Sequence, residues 1–254
     1  MQVDLNSDLG EGFGSWTMGN DVAMLDIVTT ANIACGFHAG DPDTMRSAIG
    51  LACERGVAVG AHPGYQDLIG FGRRAQVGVT AREIEALIAY QVGAFQAMAS
   101  LEGHPGTHVK THGALGNACA DDDSLADAVA RGIRAADPTL AFMVMPGTAT
   151  ERACDRAGLR PIREIYADRT YNDSFNLTSR KVEGSVIHDV ESALIRVMEM
   201  MTEQRLESVT GKRLKVEIDS VCVHGDNFSA VAMAKGLRKG LEIAGWTVAS
   251  AEAR

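Results

Sequence analysis

Short apolar runs alternate with amphipathic stretches along most of the chain. Seven such runs, each giving way to polar or glycine-rich residues, cover residues 2–5, 27–34, 57–61, 108–110, 141–145, 161–165 and 220–223. Each run has the length of one strand, and the stretches between the runs repeat their apolar positions every three to four residues, as helices do. Strands that alternate with helices predict βα units and a largely parallel sheet.

The helices have recognisable ends. Asp41 is a favourable N-cap with Pro42 at the first helical position, and Gly56 closes the helix that follows. Thr80 and Glu83 form a capping box at the start of the next one. Further helices are predicted near residues 125–133, 190–201 and 230–243.

The number of βα units favours one fold class over another. Seven or eight units predict a closed single-domain (β/α) barrel, with an open doubly wound sheet as the alternative. No linker or break in composition divides residues 1–254, so one domain is expected over the whole chain. Residues 168–186 contain few apolar positions and are predicted to form a long loop over one end of the barrel.

Charge and composition exclude several kinds of partner. The formal net charge is −9, which disfavours nucleic acid and anionic membrane because each needs a basic surface. No apolar run is long enough to span a bilayer, and the N-terminal segment lacks the features of a signal peptide. The five cysteines are widely spaced with no CxxC motif, which is typical of free thiols in a reducing compartment. A cytoplasmic location is therefore expected, and a small anionic substrate stays compatible with local cationic residues.

Ionisable residues concentrate where the predicted strands end. They are Asp8, Glu11, His38, His62, Lys110, His112, Asp168, Arg169, His224 and Asp226. The carboxyl ends of all strands in a parallel barrel meet at one mouth, where side chains from distant segments converge on a ligand. The pattern therefore predicts an active-site mouth built from these residues.

Three of the cationic residues near the mouth suggest anion binding. Lys110 shares one face of its strand with His112, and an inward ammonium there could stabilise an oxyanion or hold a carboxylate or phosphate. Arg73 and Arg74 follow the glycine-rich segment 70–72 and could grip a carboxylate or phosphoryl group. The alternatives are a solvated lysine at a strand end and two ordinary surface arginines.

A metal site is one interpretation of the histidines. Asp8, His38 and His62 could supply a mixed carboxylate and imidazole set that suits zinc or iron. Hydrogen-bonding and acid–base roles are favoured over this one, and the metal stays an open question. The HxxxH spacing of His108 and His112 is not a helical ligand pair, because residues four apart on a strand are roughly 13 Å apart.

Several familiar catalytic and nucleotide-binding motifs are absent from the sequence. Neither GxSxG nor GxGxxG occurs, and the glycine, lysine and arginine at 211–213 do not complete a P-loop. If ATP is used, its site is therefore of another kind or lies on another chain.

Six segments in order resemble the LamB/YcsF family. They are DLNSDLGEGFG at 4–14, TTANIACGFHAGDP at 29–42, GAHPGYQDLIGFGRR at 60–74, HVKTHGALGN at 108–117, YADRTYND at 166–173 and CVHGDN at 222–227. The resemblance runs from residue 4 to about residue 245 without a large gap. Six motifs in register are far more specific than any one of them.

The resemblance implies a fold, an activity and partners. The implied fold is a distorted seven-stranded β/α barrel similar to polysaccharide deacetylases and the glycoside hydrolase type. The implied activity is an ATP-dependent 5-oxoprolinase that cleaves 5-oxo-L-proline to L-glutamate in a complex with subunits B and C. ATP would be the cofactor, with its site on this chain or on a partner subunit, and a homo-oligomer is compatible with the pattern.

The matching motifs carry over a set of candidate site residues. The expected catalytic residues are Asp8, Glu11, His38, His62, Lys110, His112 and His224. The expected substrate-binding residues are Arg73, Arg74, Asp168, Arg169 and Asp226. We expect a carboxylate or histidine of the first group to act as general base on water, and His112 or His224 to protonate the leaving nitrogen.

The sequence departs from the family pattern at three positions, and two other functions stay open. Ser7 replaces a usual Cys, Thr111 a usual Pro and Gly116 a usual Tyr. The first change excludes an essential thiol at position 7, and the other two leave room for a related lactam substrate. The alternatives are a stand-alone metal-dependent deacetylase or amidohydrolase and a non-catalytic substrate-binding subunit.

Overall fold

Parallel strands close into a barrel in the computed structural model, which describes residues 1–224 and 228–251. In chain order the strands are β1 (Gln2–Leu9), β2 (Thr30–Ala34), β3 (Ala58–His62), β4 (His108–Lys110), β5 (Ala141–Val144), β6 (Pro161–Tyr166), β7 (Arg205–Glu207), β8 (Arg213–Lys215), β9 (Ser220–Cys222) and β10 (Thr247–Val248). β1 to β6 pair in sequence order, and β9 closes the barrel by pairing with both β6 and β1. The predicted seven-stranded parallel barrel is confirmed, and the open-sheet alternative is wrong.

The remaining strands lie outside the closed barrel. β10 pairs in parallel with the beginning of β1, and β7 and β8 form a short antiparallel pair between β6 and β9. None of these three strands was predicted from the sequence pattern.

Helices follow most of the barrel strands. They are α1 (Asp21–Leu25), α2 (Pro42–Glu54), α3 (Ala81–Leu101), α4 (Gly113–Asp121), α5 (Asp123–Ala136), α6 (Ala149–Ala157), α7 (Val190–Glu203) and α8 (Phe228–Ile243). The five predicted helices are confirmed, whereas α1, α4 and α6 were missed because each has at most nine residues. Among the described residues, no helix combines the length and hydropathy that a bilayer crossing requires.

The predicted helix caps form as hydrogen bonds. The Asp41 carboxylate accepts the backbone N–H of Asp43 and Thr44, each at 3.0 Å, and holds the first turn of α2 in place. At α3 the Thr80 hydroxyl accepts from the Glu83 backbone while the Glu83 carboxylate accepts from the Thr80 backbone. Such caps stabilise a helix by about 1 kcal/mol each, because they satisfy donors that the first turn leaves unpaired.

The hydrophobic core lies between the barrel and its helices. One face of α3 buries Ile84, Ile88, Val92 and Phe95 completely, at the helical spacing of the sequence pattern. Burying each such side chain contributes about 1.5–3 kcal/mol relative to leaving it in water. The helices are therefore held against the outward face of the strands mainly by apolar burial.

The inside of the barrel is polar, which explains why β1 extends beyond its predicted end. The apolar pattern stops after Leu5, but Asp4, Asn6 and Asp8 alternate along β1 and face inward. Near the amino end of β1, the Asp4 carboxylate accepts a hydrogen bond from the Thr30 hydroxyl at 2.6 Å. Because these inward polar side chains hydrogen-bond to one another, β1 continues as a strand although its inner face carries no apolar residues.

Ser7 faces away from this polar interior. It alternates with Asn6 and Asp8, its side chain is fully buried, and its hydroxyl finds no hydrogen-bond partner within residues 1–224 and 228–251. A side chain at position 7 therefore faces away from the mouth and is buried by packing.

Replacing Ser7 with alanine is expected to raise the free energy of unfolding. Removing a buried hydroxyl without a partner relieves a desolvation penalty of about 1–3 kcal/mol, offset in part by the small space it leaves. Urea denaturation of Ser7→Ala beside Ser15→Ala, at an exposed position, measures the effect. A less stable Ser7→Ala protein would contradict the interpretation.

Candidate active site

A cavity of about 530 Å³ opens at the carboxyl ends of the barrel strands. Of the residues predicted for the mouth, those that line it are Asp8, Glu11, His62, Arg73, Lys110, His112, Arg169 and His224. Residues 177–181 of the long loop after β6 form another part of its wall, as the sequence predicted for this loop. The barrel topology thus brings together side chains from six separate segments of the chain.

Lys110 is the centre of the polar interior. Its buried ammonium lies 3.0 Å from Asp8 Oδ1, 3.0 Å from Glu164 Oε2, 3.1 Å from Cys222 Sγ and 3.2 Å from Asn6 Oδ1. Burial by itself disfavours the charge, but the facing Asp8, Cys222 and Glu164 raise the pKa of Lys110 well above its usual value. Lys110 is therefore a permanent cation held between two carboxylates.

Asp8 is held ionised by its neighbours. Burial opposes its charge, but His62 and Lys110 together hold the pKa of Asp8 well below its usual value. Its second oxygen, Oδ2, lies 3.4 Å from His62 Nε2. A charged carboxylate and a charged ammonium thus meet at the base of the cavity.

Four residues of this interior were not among the sequence predictions. They are Asn6, Glu164, Tyr166 and Cys222. Glu164 is buried, accepts a hydrogen bond from the Tyr166 hydroxyl at 2.7 Å and pairs with Lys110. The signal was the strand period of two, because Asn6 lies two positions before Asp8, Cys222 lies two positions before His224, and Glu164 and Tyr166 share one face of β6.

His62 and His112 are oriented by two backbone carbonyls. His62 Nδ1 lies 2.8 Å from the Lys110 carbonyl oxygen, and His112 Nε2 lies 2.8 Å from the Phe71 carbonyl oxygen. A carbonyl oxygen only accepts, so both of these ring nitrogens donate. The remaining nitrogens, His62 Nε2 and His112 Nδ1, face each other at 3.0 Å.

His38 and Glu11 complete this side of the mouth. The His38 ring stacks on His112 with centroids 3.7 Å apart and an interplanar angle of 7°. His38 Nε2 lies 3.9 Å from Glu11 Oε1, and His112 Nδ1 lies 3.7 Å from the same oxygen. Burial lowers the pKa of His38 well below its usual value and that of His112 to about 3, so both rings are neutral at pH 7.

The glycine-rich segment covers the histidines. Gly72 has φ +62°, and a Cβ there would lie 2.8 Å from both His112 Cδ2 and His38 Cβ. Only glycine combines this left-handed backbone with so close an approach. The loop that the sequence associated with anion binding therefore also seals one side of the histidine pair.

The two adjacent arginines have different surroundings. Arg73 lines the cavity, and its guanidinium lies 4.9 Å from the centroid of the Phe71 ring. Arg74 donates from Nε to Asp67 Oδ1 at 2.9 Å, and its side chain is 62% exposed. The structure brings Arg73 to the mouth and leaves Arg74 outside it.

The other predicted binding residues lie on the opposite wall. His224 Nδ1 lies 2.7 Å from Asp168 Oδ2, so Asp168 orients the histidine and does not itself line the cavity. Arg169 is buried and donates to the Thr178 carbonyl at 2.6 Å, while its Nε makes no hydrogen bond within the described part of the chain. Asp226 lies outside the described residues.

Thr111 and Gly116, two of the departures from the family pattern, line the cavity. A Cβ at Gly116 would lie 2.9 Å from the Thr111 carbonyl oxygen, so a larger residue requires the first turn of α4 to move. The two departures are therefore coupled through backbone contact and leave the wall open at this point.

His108 lies inside the barrel, deeper than Lys110. Its ring is fully buried, with Nε2 2.8 Å from Asn32 Oδ1 and Nδ1 2.8 Å from Thr107 Oγ1. Burial, followed by the Lys110 charge, lowers the pKa of His108 from 6.5 to about 3. His108 is therefore a neutral structural histidine.

Acidification is expected to destabilise the protein through His108. The unfolded chain takes up its proton near pH 6.5 and the folded chain only near 3, so stability falls through this window as pH drops. The slope is about 1.4 kcal/mol per pH unit. When the pH falls from 7.5 to 5.5, the free energy of unfolding of the metal-free wild type should decrease by about 1.4 kcal/mol more than that of His108→Gln, as measured by urea denaturation. Equal losses would contradict this, and His188→Gln, at an exposed position, is the control.

A closed parallel barrel with ionisable side chains in a cavity at the carboxyl ends of its strands has the architecture of β/α-barrel enzymes. The model of the LamB/YcsF family matches residues 3–254, and the chain belongs to this family. The resemblance of the six motifs is thereby confirmed.

Relatives and solved structures agree with this assignment. A Rhodopseudomonas palustris protein named as the A subunit of 5-oxoprolinase is 53% identical over 98% of both chains, and a Gluconobacter oxydans protein of that name is 48% identical over 97% of this chain and 96% of its own. The lactam utilization protein of Thermus thermophilus superposes with a TM-score of 0.91 at 41% identity, covering 98% of this chain and 99% of that one. A family 4 carbohydrate esterase of Streptomyces lividans shares the fold alone, with a TM-score of 0.50 at 11% identity over 99% of this chain and 94% of that one.

Proposed function

We propose that this chain is the A subunit of an ATP-dependent 5-oxoprolinase, which opens 5-oxo-L-proline to L-glutamate together with subunits B and C. The observation that carries the proposal is a sequence identity of about 50%, over nearly the full chain, to relatives named as the A subunit of 5-oxoprolinase. The coarser statement, a hydrolase that acts on a cyclic amide, is also supported by the likeness to a lactam utilization protein.

The cavity offers the groups that lactam opening needs. Amide resonance makes the ring carbonyl a poor electrophile, and phosphorylation of its oxygen by ATP would make the carbon easier for water to attack. The Lys110 ammonium would hold the developing negative charge on oxygen or phosphate. Asp8, ionised and 3.0 Å from that ammonium, would orient the attacking water and accept its proton.

Other residues that line the cavity would serve the leaving nitrogen and the substrate carboxylate. His224, oriented by Asp168 at 2.7 Å, would deliver a proton to the ring nitrogen as the carbon–nitrogen bond breaks. The ring-opened product would be an acyl phosphate, and a second water would release its phosphate to give glutamate. Arg73 and Arg169 line the same cavity and would bind the carboxylate of the substrate through charge-assisted hydrogen bonds.

Arg73→Ala is expected to raise KM for 5-oxo-L-proline by about 10–100-fold, because a charge-assisted hydrogen bond contributes about 1.5–3 kcal/mol. The neighbouring Arg74→Ala is the matched control, since Arg74 pairs with Asp67 outside the cavity. Steady-state kinetics of the reconstituted complex measure both. Equal effects of the two substitutions would remove Arg73 from substrate binding.

Reconstitution tests the function directly. The purified chain is incubated with 5-oxo-L-proline and ATP, with and without subunits B and C, and glutamate and ADP are followed together. Production of both only in the presence of the partners supports the proposal. Glutamate formation without ATP consumption would refute it.

A second candidate, a metal-dependent amidohydrolase that acts alone, is favoured by one observation. Glu11, His38, His62 and His112 place possible ligand atoms within 4.8 Å of one another. Turnover of a simple amide by this chain alone, without ATP, would support this candidate instead.

A non-catalytic binding subunit predicts tight substrate binding and unchanged turnover when mouth residues are substituted.

A further inference from the structure

The side of the mouth opposite Arg169 contains a compact set of possible metal ligands, here called the histidine cluster and defined as Glu11, His38, His62 and His112. One ligand atom from each residue lies within 4.8 Å of the other three. All four residues are buried, and three of them line the cavity while His38 lies behind them.

The tautomers of two cluster members leave an unfavourable contact. The carbonyls of Lys110 and Phe71 each accept from one ring nitrogen, so if both rings are neutral, His62 Nε2 and His112 Nδ1 each carry a lone pair. These two atoms are only 3.0 Å apart, and two lone pairs at this distance repel unless a positive charge lies between or beside them. A shared proton or a metal ion satisfies both nitrogens.

His38 favours the metal over the proton. Its side chain is fully buried, yet neither ring nitrogen makes a hydrogen bond to any residue that the structure describes. A proton shared by His62 and His112 leaves His38 unsatisfied, whereas an ion bound beside it uses the third imidazole. A buried polar ring without a partner is unfavourable and needs such a ligand to offset the desolvation.

The observed spacings suit one small cation. The pairs that involve Glu11 Oε1 measure 3.7 Å to His112 Nδ1 and 3.9 Å to His38 Nε2. Ligands about 2.0–2.1 Å from a tetrahedral zinc lie roughly 3.3–3.5 Å from one another. The ligand atoms of the cluster lie within 4.8 Å of one another and the His38 ring stacks on His112 at 7°, so binding requires the carboxylate to move and the His38 ring to rotate out of the stack.

A second group of possible metal ligands consists of Asp8, Cys222 and His224. The Lys110 side chain already places its ammonium beside two of them. The Lys110 ammonium lies 3.0 Å from Asp8 and 3.1 Å from Cys222 and already balances the local charge. An added metal ion there would repel it. The predicted set of Asp8 with two histidines is disfavoured for the same reason.

We propose that Glu11, His38, His62 and His112 bind one divalent transition-metal ion of the Zn²⁺, Fe²⁺ or Co²⁺ type. Three imidazoles and one carboxylate are the donor set that these borderline ions prefer. The site belongs to the isolated chain and does not rest on the lactam chemistry. An ion here lies next to Asp8, whose Oδ2 is 3.4 Å from His62 Nε2, and therefore beside the cavity that holds the substrate.

Metal binding by the purified chain tests the proposal. The protein is stripped with a chelator, dialysed against Zn²⁺ or Co²⁺, and its bound metal is measured by elemental analysis. The expected result is one ion per chain, with Co²⁺ giving visible absorption bands of low-symmetry coordination. Absence of stoichiometric binding by the folded wild-type chain would overturn the proposal.

Matched variants place the ion within the mouth. His38→Phe keeps an aromatic ring against His112 but removes both nitrogens, and His112→Gln removes a second ligand. Each should weaken metal affinity by on the order of 100-fold or more, since even residues that only orient metal ligands contribute 10–100-fold. Circular dichroism verifies the fold, and wild-type affinity in both folded variants would refute the site.

Two further variants serve as controls. Cys222→Ser tests the competing group beside Lys110 and should keep wild-type metal affinity. His188→Ala removes an exposed histidine and should also leave affinity unchanged. Loss of binding in Cys222→Ser with retention in His38→Phe would assign the ion to the other group and contradict the proposal.

Discussion

Lys110→Met is expected to lower the free energy of unfolding by about 3–5 kcal/mol at pH 7, because it leaves buried charges uncompensated. The ammonium of Lys110 lies 3.0 Å from both Asp8 and Glu164. Methionine fills a similar volume, so loss of packing contributes little. Urea denaturation measures the change, and Lys215→Met, at an exposed position on β8, should stay within about 0.5 kcal/mol of wild type.

A double substitution separates charge from packing at Lys110. Adding Glu164→Gln to Lys110→Met removes one of the stranded carboxylates and should recover part of the lost stability. The Tyr166 hydroxyl, 2.7 Å from Glu164, can still bond to the glutamine oxygen. A double variant less stable than Lys110→Met by the full effect of Glu164→Gln alone would show that the pair does not interact.

Asp8→Asn is expected to reduce kcat of the reconstituted complex by about 10²–10⁴-fold, the usual contribution of a general base. Asparagine has the same shape and its oxygen can still accept from Lys110, so KM and folding should change little. The substitution removes the negative charge that His62 and Lys110 stabilise and the site that accepts a proton from water.

The control for Asp8 is an aspartate away from the cavity. Asp155→Asn, at an exposed position on α6, should leave kcat unchanged. Glutamate and ADP are measured together, so that uncoupled ATP hydrolysis is visible. A folded Asp8→Asn complex with wild-type turnover would remove Asp8 from the proposed chemistry and leave His62 or Glu11 as the base.

The mouth was predictable because a parallel barrel collects its strand ends. Asp8, Lys110 and His112 follow or end apolar runs, and strand polarity alone brings them to one side. Arg73 and Arg74 show the limit of this reasoning. The two are adjacent in sequence, but Asp67 binds the Arg74 guanidinium whereas Arg73 lines the cavity.

The interior below the mouth was harder to predict. Glu164 and Asn6 lie within strands that the apolar pattern describes only in part, and a charged residue in such a strand usually faces solvent. Here both face inward, because the Lys110 ammonium compensates the charge of Glu164 and donates a hydrogen bond to the Asn6 side-chain oxygen across the barrel. The pairing joins residues 54 and 104 positions apart in the chain (110 to 164 and 6 to 110), and no local pattern records it.

The sequence by itself determined the order of strands and helices, the caps of α2 and α3, and the period of two that assigns one face of each strand to the barrel interior. These features depend on interactions between residues only a few positions apart. The tertiary structure alone decided which nitrogen of His62 and His112 donates to a backbone carbonyl, because these carbonyls belong to Lys110 and Phe71 in separate segments. It also decided that Lys110 compensates two carboxylates and that His38 stays without a hydrogen bond in the described residues. Such properties depend on distances across the closed barrel, which exist only once all its strands have paired.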